Sequence, residues 1–232
     1  MTGNASTPTS GIGVACLDMA GTTVADDGSV IAAFSAAAEQ FGLAEGTPDY
    51  DAALAYVHRT MGQSKIEVFR HILGAEESAQ GANKAFEEHY AASVRAGNVA
   101  PLPGAEETIG ALRAAGIKVC LATGFSPATR DALLDALGWR ALVDLVLSPA
   151  DAGRGRPWPD LPLTALLRLG GGAVSELAVA GDTASDVESG LRAGAGLVAG
   201  VLTGSATRED FERVKAPVIL DTIAGLPSLL GI

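Results

Sequence analysis

Six short apolar runs punctuate the chain, and most of them stop at a small or polar residue. Residues 12–17 (IGVACL) stop at Asp18, 118–122 (KVCLA) at Thr123-Gly124, 142–147 at Ser148, and 177–180 (LAVA) at Gly181-Asp182. A fifth run covers 196–201, and a short sixth, 218–220, stops at Asp221. Continuous apolar runs with polar ends predict parallel strands buried on both faces. Helical patterns lie between them at 104–115, 127–137, 161–169 and 185–193; the first carries Ile109 and Leu112 and closes on Gly116. Strands alternating with helices of about ten residues predict a parallel sheet covered on both faces.

The alternation breaks once. Residues 30–98 hold no strand pattern and read as helices at 30–41, 49–60, 64–73 and 76–96. Asp26-Asp27-Gly28 and Pro101-Leu102-Pro103-Gly104 flank them as joints. The expected organisation is therefore an α/β core from 11–27 and 101–232, a helical cap over 28–100, and a polar, disordered tail over 1–10. Gly170-Gly171-Gly172 reads as a helix–strand loop, since no GxGxxG or Walker-type phosphate pattern accompanies it.

Chemistry in such sheets sits beyond the carboxyl ends of the strands, where Asp18, Thr123 and Asp182 fall. Asp18 precedes Ala20-Gly21-Thr22-Thr23, a turn whose glycine lets backbone N–H groups face an anion. A carboxylate there can attack phosphorus and form an acyl phosphate; the plainer alternative is a turn or N-cap aspartate. Gly181-Asp182-Thr183-Ala184-Ser185-Asp186 places two carboxylates four residues apart, on one side of a helix start. Oxygens converging there suit Mg²⁺; the alternative is a capping box with a solvated second acid. The Thr123 hydroxyl and Gly124 N–H can hold a phosphoryl oxygen, or serve as a simple turn. Arg156, just before a predicted helix, can neutralise both attacking carboxylate and phosphoryl group, or be an exposed loop residue.

Composition narrows the classes. The 232 residues are 48% hydrophobic but only 5% aromatic, so the core is built from Ala, Val, Leu and Ile. A formal charge of −11 and no basic patch argue against nucleic acid and against an anionic membrane surface. No run is long enough to span a bilayer, and the N-terminus lacks a secretion signal. Cys16 and Cys120 lie inside predicted strands, so the expectation is free thiols and a cytoplasmic setting.

Strand-Asp-x-x-Gly-Thr, strand-Thr, a basic residue before Pro, and strand-Gly-Asp-x-x-x-Asp, in this order, resemble the haloacid dehalogenase (HAD) superfamily over nearly the whole chain from residue 12. The resemblance implies a Rossmann-like core and an aspartyl nucleophile at Asp18. It implies Mg²⁺ held by Asp18, the Ala20 carbonyl and Asp182, with Asp186 as ligand or just behind, and Thr123 and Arg156 as phosphoryl ligands.

Two positions depart from the commoner HAD pattern. Ala20 stands where most HAD phosphatases carry an aspartate that protonates the leaving group, a step worth typically ~10²–10⁴-fold. Arg156 stands where lysine is usual. Both, with the string DMAGTT, resemble the phosphonoacetaldehyde hydrolases (phosphonatases) and their relatives. Those enzymes cleave a C–P bond after a cap lysine forms an imine with the substrate aldehyde, so an enamine departs and no oxygen needs a proton. Lys65, in Met61-Gly62-Gln63-Ser64-Lys65, matches their Met-Gly-x-x-Lys segment, which puts Met61 at the substrate; the alternative is a lysine that only binds substrate. Phosphonatases carry a histidine three residues after that lysine, where Val68 stands here; His58, His71 and His89 read as surface or cap-packing residues. Pro159-Asp160 is nearer the general HAD pattern.

The expected function is thus Mg²⁺-dependent cleavage of phosphonoacetaldehyde or a related small phosphonate by a chain that, by family analogy, forms homodimers. The alternatives are a HAD phosphatase for small esters or acyl phosphates, whose leaving groups need little protonation, and a catalytically degenerate metabolite-binding protein.

Overall fold

A computed structural model describes residues 11–232; the expected tail, 1–10, lies outside the described residues. Strands β1 (Val14–Asp18), β2 (Lys118–Ala122), β3 (Leu145–Leu147), β4 (Leu177–Gly181), β5 (Leu197–Val201) and β6 (Val218–Leu220) form one wholly parallel sheet in the order β3-β2-β1-β4-β5-β6. This is the expected Rossmann-like α/β architecture. The chain winds outward from β1 through β2 to β3, then returns to the other side of β1 with β4. The strand order therefore reverses between β1 and β4, where open α/β sheets open a crevice at their carboxyl ends. Register sets the level of that crevice, with Asp18 beside Ala122 and Leu17 beside Ala180.

Side chains alternate across the sheet. Ala15, Leu17, Val119 and Leu121 pack into one apolar cluster, while Val14, Cys16, Cys120 and Ala122 pack into another on the opposite face. Cys16 and Cys120 are register partners, and both are buried free thiols. Core helices α5 (Ala105–Ala114), α6 (Pro127–Leu137), α8 (Asp160–Arg168) and α9 (Ala184–Ala193) cover the sheet.

The third strand is shorter than the apolar run at 142–147. Leu142 N–H closes a turn onto Trp139 O, and the Asp144 carboxylate accepts from Val119 N, so pairing begins only at Leu145. Three short helices escaped the periodicity: α7 (Pro149–Ala152), α10 (Arg208–Arg213) and α11 (Leu226–Leu230).

Between β1 and α5 lie α1 (Ser29–Gln40), α2 (Pro48–Arg59), α3 (Lys65–Leu73) and α4 (Glu76–Arg95). Their shared core holds Phe34, Tyr50, Phe69, Phe86 and Tyr90, concentrating a large part of the chain's few aromatics. Phe125, just beyond β2, joins it, 4.5 Å from the Tyr90 ring and 6.2 Å from Phe86. A polar clasp adds to this contact. The Glu87 carboxylate of α4 accepts from Ser126 N (3.2 Å), Ser126 Oγ (2.5 Å) and Thr129 Oγ1 at the start of α6. No helix among the described residues is long and apolar enough to cross a membrane.

Candidate active site

The turn after β1 is fixed by its own backbone. Thr22, Thr23 and Val24 N–H all point to Met19 O, at 3.2, 2.9 and 2.8 Å. Gly21 has φ +87, and a Cβ there would stand 2.5 Å from Asp182 Oδ2, so two independent constraints demand glycine. Thr23 Oγ1 donates to Asp18 O at 2.9 Å, and Thr22 Oγ1 reaches across to Asp182 Oδ1 at 3.2 Å. The turn thus aims Asp18 and ties it to the end of β4.

Asp18, Asp182 and Asp186 are all buried and present carboxylate oxygens within 4.8 Å of one another. Burial, then the neighbouring acids, raise the Asp18 and Asp182 carboxyls, the latter to about 6. Arg156 lies among them. Its Nη1 is 2.8 Å from Asp18 Oδ1 and its Nε 2.6 Å from Asp186 Oδ1, while Nη2 donates to Ala122 O (3.0 Å) and Nη1 to Gly62 O (3.3 Å). Burial opposes its charge, but Asp186 and Asp18 hold it protonated. Asp186 is not the solvated acid of the capping alternative: it closes a capping box with Thr183 and is buried against Arg156.

Three carboxylates around one guanidinium leave a net negative cluster out of water, which is costly without a further cation. The Ala20 carbonyl accepts no backbone N–H among the described residues, and Ala20 borders the same space. The oxygen-only donor set fits a hard divalent cation of the Mg²⁺ type.

The loop leading into α3 closes over this crevice. Gly62 approaches so closely that a Cβ would lie 2.6 Å from Thr183 Oγ1, and a Cβ on Gly124 would lie 2.5 Å from Gln63 O. Beneath is a chamber of about 30 Å³ bordered by Asp18, Ala20, Met61, Lys65, Thr123 and Arg156, with Gly124 and Asp182 also on its wall. A wider cleft of about 920 Å³ shares Lys65, Gly124, Phe125 and Arg156 with it and leads outward. Thr123 is buried, and its Oγ1 accepts from Phe125 N at 3.2 Å. Lys65 opens α3, buried, with Nζ 5.7 Å from the Phe125 ring and 6.0 Å from Phe86. Burial lowers its pKa, with Asp26 and Asp18 pulling the other way.

Every residue named for the site from sequence therefore borders one chamber or, for Asp186, supports it. The histidines do not join it. His58 is exposed, His71 stacks on Tyr56 at 3.9 Å, and His89 pairs with Gln40. Val68 faces an apolar recess with Val30, Phe34, Val57 and Phe69. Trp139 is buried and donates to Glu106, whereas the half-exposed Trp158 sits between Arg154 and Arg192.

Two site residues were missed from the sequence. Ser205 N donates to Asp182 Oδ2 at 2.9 Å, and Thr203 Oγ1 to Gly21 O at 2.7 Å. Both follow β5, so the strand-end rule applied to Thr203-Gly204-Ser205 would have found them.

Residues 12–194 match the haloacid dehalogenase-like hydrolases. The phosphonoacetaldehyde hydrolase of Parabacteroides distasonis is 30% identical over 62% of this chain and 63% of its own length. A probable phosphatase of Dickeya dadantii, IndB, is 33% identical over 53% of this chain and 52% of its own. The chain thus aligns with roughly half to three-fifths of the length of these curated relatives. The crystal structure of a phosphonoacetaldehyde hydrolase-like protein from Oleispira antarctica superposes with a TM-score of 0.80, at 24% identity, over 100% of this chain and 95% of that one, a likeness of fold.

Proposed function

The chain belongs to the haloacid dehalogenase-like hydrolase family, and from that premise we propose that it cleaves the C–P bond of phosphonoacetaldehyde or a closely related small phosphonate, with Mg²⁺ bound. The observation that carries this reading is the pairing of Ala20 with Lys65 on the wall of the small chamber that Asp18 also lines. The position able to protonate a leaving alkoxide has no proton to give, while a desolvated amine faces the organic side of the substrate.

In this reading Lys65 condenses with the aldehyde. An Asp18 oxygen attacks phosphorus, the C–P bond breaks, and its electron pair moves into the iminium to give an enamine. Water then releases phosphate from Asp18, and the enamine takes a proton and is hydrolysed to acetaldehyde and free Lys65. Arg156 and Thr123 hold the phosphoryl oxygens, and positioning and electrostatics dominate. Asp18, the Ala20 carbonyl and Asp182 would hold Mg²⁺, with Asp186 as ligand or just behind, and the ion would supply positive charge to offset that of the phosphoryl oxygens. Met61 and Gly124 close the chamber and exclude water.

The test is Mg²⁺-dependent release of phosphate and acetaldehyde from phosphonoacetaldehyde, with borohydride in a parallel tube. Turnover with an adduct on Lys65 supports the reading; neither product nor adduct refutes it. Asp18→Asn should abolish turnover and keep the fold. A second reading, hydrolysis of small activated esters or acyl phosphates, draws on the same Ala20 and on the likeness to IndB; a phosphate-ester panel separates the two.

A further inference from the structure

Between β5 and α10 the chain runs Leu202-Thr203-Gly204-Ser205-Ala206-Thr207, without a charged side chain. No step of the proposed reaction uses this loop, yet it reaches two other strand ends. Ser205 N donates to Asp182 Oδ2 at 2.9 Å, Ser205 Oγ to the same oxygen at 3.4 Å, and Ala206 N to Asp182 O at 3.1 Å. Gly204 lies so close that a Cβ there would collide with the Asp182 carboxylate. Thr203 Oγ1 reaches the other way and donates to Gly21 O at 2.7 Å. One loop thus grips two segments that lie far apart in sequence, the turn after β1 and the end of β4.

The Thr203 bond matters because of what lies one peptide away. The Ala20–Gly21 peptide is trans, so the Ala20 C=O points opposite to the Gly21 N–H. That N–H donates to Val24 O at 2.8 Å. In the next peptide, Thr22 N–H donates to Met19 O at 3.2 Å, and Gly21 O faces out of the turn to meet Thr203. The close approach of Asp182 demands glycine at 21, but glycine lets its flanking peptides swing more freely than any other residue. Thr203 adds a hold on that glycine from outside the turn. Ser205 and Thr22 between them engage both Asp182 oxygens, at 2.9 and 3.2 Å.

We propose that Thr203 is a positioning residue for the metal. Acting through Gly21, it fixes the direction of the Ala20 carbonyl, while the backbone of Ser205, two residues on, fixes Asp182. One loop then sets the spacing of two of the donors that would hold Mg²⁺. The role rests on the Mg²⁺ reading of the acidic cluster and not on the phosphonate reaction. Mg²⁺ demands near-ideal octahedral geometry, so a small error in donor direction costs affinity. Groups that orient ligands from behind typically contribute about 10–100-fold in affinity. The role needs a hydroxyl and not merely the shape of the side chain: serine at 203 keeps the donor, and valine, of nearly the same volume as threonine, lacks it.

The test is the affinity of the full chain for Mg²⁺ alone, by isothermal titration calorimetry without substrate, alongside melting in chelator. It compares wild type, Thr203→Val, Thr203→Ser and Thr207→Val. Thr207 caps α10 through Asp210 at the far end of the same loop, so Thr207→Val loosens the loop without removing the Thr203 hydroxyl. Thr203→Val should raise the Mg²⁺ Kd about tenfold or more while melting in chelator close to wild type. Thr203→Ser should bind Mg²⁺ as wild type does, and so should Thr207→Val even though it melts lower. The proposal is overturned if Thr203→Val keeps the wild-type affinity, if Thr203→Ser loses as much as Thr203→Val, or if Thr207→Val weakens binding as far. It is overturned too if Thr203→Val melts far below wild type in chelator, since lost affinity would then follow lost fold. A wild type that binds no Mg²⁺ overturns the metal reading and this proposal with it, whereas a wild type that binds beside an unchanged Thr203→Val overturns the proposal alone.

Discussion

Gly124→Ala tests whether the closed cap is the working geometry. The new Cβ would meet the Gln63 carbonyl oxygen at 2.5 Å and that of Gly62 at 2.9 Å, where ordinary contact begins at 3.4 Å. Both obstacles are backbone, so no side chain can swing away, and the cap loop must retreat by about 0.9 Å. The retreat strains the 3.3 Å hydrogen bond from Arg156 to Gly62 O and carries Lys65, two residues beyond Gln63, away from Asp18. A misplacement of about 1 Å can cost about 10²-fold in rate. The core does not share the strain, because the contact lies between cap and core rather than within either. The expected outcome is kcat/KM down about 10²-fold with a Tm within about 3 °C of wild type, the shift that about 1 kcal/mol brings in a chain of this size. Phosphate release and thermal melting measure the two. Retention of kcat/KM within threefold, at unchanged Tm, would refute the reasoning, since the cap could then not work in the position described.

Other perturbations probe the remaining links. Arg156→Met strands three buried carboxylates and should cost about 3–5 kcal/mol of stability, read by denaturant unfolding in chelator; a loss under about 1 kcal/mol would show that the guanidinium is not their structural counter-ion. In chelator, Asp182 binds its proton more tightly folded (to about pH 6) than unfolded (3.8), so stability should fall as pH rises across that window, by up to about 3 kcal/mol. Saturating Mg²⁺ should flatten that slope, and the same melts with no slope in chelator would contradict the burial of Asp182. Glu87→Gln removes the charge that clasps Ser126 and Thr129, so KM should rise severalfold with little change in Tm; an unchanged KM would show that this clasp does not govern closure.

Sequence and structure agree most closely where one rule governs. The strand ends placed Asp18, Thr123 and Asp182 together because a parallel sheet brings all its carboxyl ends to one edge. Helices α1 to α4 were legible because their apolar periodicity repeats over several turns. The short helices were not, because four to six residues carry too little period. Ser148/Asp151 and Thr207/Asp210 form capping boxes that mark two of them. Thr203 and Ser205 were passed over because the fifth apolar run, 196–201, has no charged residue at its end to draw the strand-end rule to them. The burial of Lys65 was expected only through the family resemblance: lysine at a helix start by itself reads as surface, and Phe86 and Phe125, whose rings lie beside its Nζ, are distant in sequence.

Charge links the two departures at this site. Asp18, Asp182 and Asp186 stand against Arg156 and Lys65, a formal balance of −1 before any metal. On the proposed reading a divalent cation would make it +1, which would favour a dianionic phosphoryl substrate. A carboxylate at position 20 would return the balance to zero and face Asp18 across a chamber of about 30 Å³. It would draw the Lys65 proton more tightly as well, raising the pKa that burial lowers. Alanine at 20 therefore does more than forgo a general acid: it adds no further anion to hold the proton that burial loosens on Lys65. Ala20→Asp should then cut imine trapping at Lys65 sharply. If trapping survives that change undiminished, the electrostatic link between the two positions fails, and Ala20 reduces to a matter of leaving-group chemistry alone.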